Sequence, residues 1–245
     1  VSAQGSVLGD ATVDLAVTAP LLNGSTGTTY FFDGDDIAAG GTVVQADADA
    51  TFVGVAGSRA GLVVISGHDF VGDNAGDVAL GAPFLNSRAG GVFVITGNEG
   101  GGLSGAYTTS SPNVVTIAGA QQTTGQMGFR ITVGNVVGTS KKDLIVNHGT
   151  TQGTYWWYIY EGANALNAQA TVTLPIPGTT PRFKYANQQS SCDLNGDGYE
   201  DLILGAETRA FVYFGHQNGA DFNLSSDREY DIGSGWGLGV CADAN

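Results

Sequence analysis

Four nine-residue windows in this chain follow one pattern. SVLGDATVD occupies 6–14, DFVGDNAGD 69–77, NVVGTSKKD 135–143 and DLNGDGYED 193–201. Each carries glycine at its fourth place (Gly9, Gly72, Gly138, Gly196) and aspartate at its ninth (Asp14, Asp77, Asp143, Asp201). Recurrence at such a period makes the chain a series of copies of one supersecondary unit, and that constrains the fold more than any local signal.

The residues after each window also recur. The stretches DLAVTAP, DVALGAP, DLIVNHG and DLILGAE come first, then a turn, then an aromatic or β-branched run: TTYFF, GGVFVITG, GTYWWYIYEG and RAFVYFG. A further strand-like piece such as ATFVGV or ATVTLPI completes a unit. One unit is therefore about four short strands joined by turns rich in Gly, Asn and Asp. The units run approximately over 1–59, 60–124, 125–183 and 184–234, with the start of a fifth at 235–245. Apolar spacing at helical period is missing, so helices should be scarce. Four-stranded units at a fixed period predict an all-β fold, a β-propeller in which neighbouring blades bury each other's faces. A β-solenoid would have a shorter period.

Composition narrows the partners. The 245 residues carry 23 acidic against 9 basic side chains, a formal net charge of −14. Nucleic-acid binding needs a basic stripe, so a phosphate backbone is excluded as a partner, and an anionic membrane surface with it. Divalent cations or neutral partners fit better. No apolar run is long enough to cross a membrane, so membrane insertion of this segment is not expected. The 39 glycines suit turns and strands rather than helices. Cys192 and Cys241 are too few for a disulfide scaffold and read as small buried thiols, although a single bridge between them stays open.

The units resemble the FG-GAP repeat of the integrin α-subunit propeller. The resemblance rests on Gly81-Ala82-Pro83 and its variants Thr18-Ala19-Pro20 and Gly205-Ala206-Glu207, each just after an Asp-ended loop, and on the Phe-Gly-like openings Met127-Gly128 and Trp236-Gly237. It covers essentially the whole chain. The third unit departs from it with Asn147-His148-Gly149, and the fourth opens without a clear Phe-Gly. The resemblance implies a ring of about seven blades, which at this period takes roughly 400 residues. The chain reaches only Cys241-Ala-Asp-Ala-Asn245, the start of a fifth loop with Asp243 and Asn245 in the places of Asp193 and Asn195. Further blades are accordingly expected beyond this segment or on another chain.

The acidic loops carry the chemistry. In the fourth window oxygen donors alternate, Asp193, Asn195, Asp197 and then Asp201, and Gly198 supplies the left-handed backbone that turns them toward one point. With the Tyr199 carbonyl they make a hard, flexible oxygen set suited to Ca²⁺. An EF-hand would need a bidentate Glu at the twelfth place, where Leu204 stands. The hairpin calcium loop of the FG-GAP family remains. The second window keeps Asp69, Asp73 and Asp77 but has Val71 at a ligand place; the first keeps only Asp10 and Asp14 and is expected to be empty. In the third window Lys141 and Lys142 lie inside the loop, where their charge can replace a cation, so that loop should be metal-free.

Other signals weigh less. GGGLSG at 100–105 precedes no helix, so it is no phosphate cradle, and His68, His148 and His216 lack zinc-type spacing. The run Tyr155–Tyr160 reads as packing between two neighbouring sheets, with a sugar-stacking platform as its rival. Asn23-Gly-Ser25 and Asn223-Leu-Ser225 are glycosylation sequons. The expectation is a non-catalytic, secreted or cell-surface propeller braced by calcium. It would act in adhesion or assembly through a protein partner or further subunits. The alternative is an accessory or lectin-like propeller of a larger secreted enzyme or glycan-binding protein.

Overall fold

The computed structural model describes residues 1–97, 101–120, 125–138, 141–149, 155–162, 166, 169–175, 189–205 and 209–231. Among these residues the fold is all-β, with four four-stranded sheets. Strands β1 (Leu15–Ala19), β2 (Thr28–Phe32) and β3 (Ala50–Val53) form an antiparallel meander in the first sheet, and Ser2 makes an isolated antiparallel bridge to Ala16. The second sheet contains β4 (Val63–His68), β5 (Asp77–Gly81), β6 (Gly91–Ile95) and β8 (Val114–Ala118). The third contains β9 (Ile131–Gly134), β10 (Asp143–Gly149), β11 (Tyr155–Tyr160) and β12 (Val172–Pro175), and the fourth β13 (Gln189–Cys192), β14 (Asp201–Gly205), β15 (Arg209–Tyr213) and β16 (Arg228–Asp231). Helix among the described residues is confined to short turns, and two of these, Leu22–Ser25 and Leu85–Arg88, are broken by left-handed residues.

One strand crosses the expected unit boundary. β7 (Gly105–Thr108) belongs to the connection between β6 and β8, yet it pairs in parallel with β3 and completes the first sheet. It thereby covers an edge that would otherwise present unpaired backbone groups.

The sheets succeed one another face to face in chain order. Strand alternation sends successive side chains to opposite faces, so a middle sheet feeds two cores. Val78, Leu80, Phe93 and Ile95 pack with Phe31 and Phe52 between the first two sheets, where the Phe52 and Phe93 rings lie 5.5 Å apart. Ala79, Val92 and Val94 turn the other way, toward Leu144, Val146 and Tyr160 of the third sheet. Ile145, Trp157 and Ile159 then meet Leu202, Leu204 and Phe211 of the fourth. Each fully buried Phe or Leu contributes about 1.5–3 kcal/mol, so three continuous interlayers hold the stack together.

The aromatic run behaves as packing. Trp157 and Ile159 face one core, Tyr158 and Tyr160 the other, and Trp157 is only 3% exposed.

Glycines let adjacent units dock through backbone. Met127-Gly128 lies over the preceding unit, where Gly91 N donates to Met127 O and a Cβ on Gly81 would sit 2.1 Å from Gly128 O. Ala60-Gly61 has the same role in the preceding unit: Ala60 N donates to Thr26 O, and a Cβ on Gly27 would sit 2.2 Å from Ala60 O. Ala60-Gly61 does not stand out in the sequence pattern, because alanine replaces the larger residue there. Trp236-Gly237 and Ala206-Glu207 lie outside the described residues.

Candidate functional site

The second and fourth windows form the turns β4–β5 and β13–β14, the described residues of the third lie between β9 and β10, and the first precedes β1; their ninth aspartates begin β5, β10 and β14 or directly precede β1. These aspartates point inward. Asp14 is 1% exposed and the other three 0%. Asp143 Oδ2 accepts from Val136 N and Val137 N, both at 2.8 Å, while Oδ1 accepts from Gly162 N at 2.9 Å. Asp77 repeats this with Phe70 N, Val71 N and Gly97 N, and Asp14 with Val7 N, Leu8 N and Gly34 N. Among the described residues, Asp201 takes Gly215 N on Oδ1 but a single donor, Leu194 N, on Oδ2.

One carboxylate thus pins its own loop to the chain leaving the second strand after that loop, β2, β6, β11 or β15. The distal partner is always a glycine, and the reason is steric. A Cβ at Gly34, Gly97, Gly162 or Gly215 would meet the carbonyl oxygen of the residue before the aspartate at 2.2, 2.7, 2.6 and 2.5 Å respectively. Only a bare backbone can come that close.

Burial pushes the Asp77 carboxyl up to about 6 and Asp143 up to about 7 against the opposing pull of their three N–H donors. Asp201 is raised as well, first by burial and then by the negative charge of Asp197 and Asp193, with two N–H donors opposing.

The exposed residues of the fourth loop surround Asp193. Its Oδ2 accepts from Gly198 N, and its Oδ1 from Gly196 N and Asp197 N, contacts that hold this carboxyl below the usual carboxylate range. Asn195 Nδ2 donates to Asp197 Oδ2 at 2.9 Å, and Asp197 Oδ1 accepts from Tyr199 N. Gly196 (φ 79) and Gly198 (φ 91) take the left-handed backbone this winding requires. Asp193, Asn195 and Asp197 are therefore neighbouring oxygen donors at the surface. Asp201 lies beneath them, and its Oδ2 has no second donor among the described residues.

Among the described residues, three carboxylates come within 4.8 Å of one another in the first loop rather than the fourth: Asp10, Asp14 and Asp33. Asp33 arrives from the connection after β2, outside the nine-residue window, so the repeat pattern does not reveal it. Asp33 Oδ1 also accepts from Asp35 N at the start of the short helical turn Gly34–Ala38.

In the second loop Asp69 accepts from Gly72 N and Asn74 N, and Asp73 from Ala75 N. The third loop reaches to both sides. Lys141 Nζ binds Asp69 of the second loop, and Lys142 Nζ binds Glu200 of the fourth. The expectation placed both charges inside their own loop, whereas these two ion pairs reach out of it to the loops on either side. These pairs place the second, third and fourth loops together at one end of the stack. Glu200 also accepts from Asn135 N and Ser191 Oγ, so the third and fourth loops share a polar network.

Cys192, expected as a buried thiol, is disulfide-bonded. It sits half-buried at the end of β13, beside the fourth loop, rather than in a core. Cys241, Asp243 and Asn245 lie outside the described residues. No described helix is long and apolar enough to cross a membrane. Compared with known proteins, the chain matches no protein-family model and no curated protein.

Proposed function

We propose that this chain is a calcium-braced β-propeller segment of a secreted or cell-surface protein. In this reading it serves adhesion or the assembly of an extracellular structure by protein–protein contact. The observation that carries the reading is the repeated Asp–Gly clamp. The same carboxylate ties the same two segments in all four sheets, and the sheets follow one another face to face. Repetition of that kind builds a rigid frame with its loops gathered at one end, and rigid frames bearing loops are suited to recognition.

Calcium belongs in the fourth loop. Asp193, Asn195, Asp197 and the Tyr199 carbonyl would hold it, with Asp201 Oδ2 available from below and water completing the 6–8 oxygens the ion takes. The raised Asp201 carboxyl, buried and pressed by the charges of Asp197 and Asp193, marks an electrostatic load that a divalent cation relieves. Bound there, the ion stabilises the turn between β13 and β14 by favouring the folded state. It needs no open path for a substrate.

Chemical crosslinking of the native, calcium-loaded protein from its source, read by mass spectrometry, tests the assembly reading. Crosslinks from the loop end or an outer sheet to a second polypeptide, weakened on chelation, are the expected result. Crosslinks confined to this polypeptide under native conditions would overturn it.

A further inference from the structure

The second loop already contains a cation, supplied by its neighbour. Lys141, from the turn between β9 and β10, places Nζ 2.7 Å from Asp69 Oδ2 and 3.4 Å from Asn74 Oδ1. Asp69 holds the same loop position as Asp193 in the fourth loop, whose carboxylate has only backbone N–H partners among the described residues. The lysine and aspartate side chains are 27% and 23% exposed, so the pair is withdrawn from most of the screening that weakens surface ion pairs. Although partial burial raises the Asp69 carboxyl, the Lys141 ammonium together with the Gly72 and Asn74 amides outweighs it and holds the group below its ordinary value.

A divalent ion at Asp69 would have to expel this ammonium or sit beside it against like-charge repulsion. The loop also lacks the donor that Asn195 provides in the fourth, since Val71 stands there.

We propose that Lys141 is the cation-selecting residue of the second loop: its ammonium excludes Ca²⁺ from Asp69 and Asp73 and fastens the second unit to the third. The comparison with a calcium-filled fourth loop rests on the function proposed above, whereas the exclusion itself does not. The two loops then answer the same electrostatic problem differently. One neutralises its carboxylate with a mobile ion, the other with a covalently tethered charge that cannot be chelated.

Equilibrium dialysis with CaCl₂ as the probe, on the full chain, tests this. Wild type, Lys141→Gln, and Lys141→Gln combined with Asp69→Asn are compared, each checked for folding by circular dichroism. Lys141→Gln should bind one more Ca²⁺ per chain than wild type, and the double variant should lose it. Equal stoichiometry in wild type and Lys141→Gln would overturn the proposal. Should only Lys141→Gln bind calcium, the proposal stands and the calcium reading of the fourth loop falls. A measurement on wild type covers a variant that fails to fold: acetylation of Lys141, followed by mass spectrometry, should be unchanged by millimolar Ca²⁺. Increased labelling on adding Ca²⁺ would mean that the ion displaces the lysine, and the proposal would be wrong.

Discussion

The Asp143 carboxylate and the Gly162 amide meet at 2.9 Å across 19 residues of chain, and the same meeting of aspartate and glycine occurs once in every sheet. Replacing Asp143 with alanine removes the Gly162 clamp and leaves the N–H groups of Val136 and Val137 buried without this acceptor. Each orphaned group costs about 1–3 kcal/mol, so the variant should lose about 3 kcal/mol or more in urea denaturation. Asp10→Ala, on the exposed side of the first loop, should shift the denaturation midpoint far less than Asp143→Ala.

Gly162→Ala probes the other half of the clamp. The new Cβ would lie 2.6 Å from Lys142 O, a backbone atom that cannot swing aside. Overpacking of this kind costs about 1–3 kcal/mol, and the loss should appear as a lower denaturation midpoint at unchanged slope.

Chelation should lower the melting temperature if the fourth loop holds calcium. At a free ion concentration one hundred times Kd, binding contributes about 2.7 kcal/mol. For a chain of this length that corresponds to roughly 5–10 °C. Asp197→Ala should reproduce most of the drop and make the melt insensitive to chelator. A melt that chelation leaves unmoved would remove calcium from the fourth loop.

Titration of Asp143 has a definite sign. Burial, against three N–H donors, raises its carboxyl to about 7 from an unfolded value of 3.8. Between those values the folded state binds more protons than the unfolded one, so this group's contribution to stability falls as pH rises from about 4 to 7 and is flat above. Asp77 acts likewise up to about 6. His148 opposes them: burial holds its imidazole below 6.5, so its contribution grows as pH rises toward 6.5. Carboxyl ¹³C shifts should therefore place the Asp143 midpoint above that of Asp77, and both well above that of Asp193.

Trp157→Ala should destabilise by about 3–5 kcal/mol, because the ring lies in the core between the third and fourth sheets. Trp156 is half-buried and should cost less. Saccharide binding abolished by Trp156→Ala, with stability kept, would favour the lectin-like alternative; a glycan array without hits would remove it.

The all-β class and the recurrence of short strands after each Asp-ended window were determined by the sequence itself. Local physics explains why. Turn glycines, alternating apolar residues and Asp-ended windows act within ten residues or so, and a repeat prints the same instruction four times. Tertiary structure alone decided which carboxylates face solvent and which face backbone. Asp14, Asp77, Asp143 and Asp201 stand out in sequence by their recurrence, but nothing local says that they face backbone amides. Their amide partners at Gly34, Gly97, Gly162 and Gly215 come into reach only once β2, β6, β11 and β15 have paired. The same holds for Asp33 joining Asp10, for β7 crossing to the first sheet, and for Lys141 reaching Asp69. Each is a contact between segments far apart in the chain, made by packing rather than by local preference.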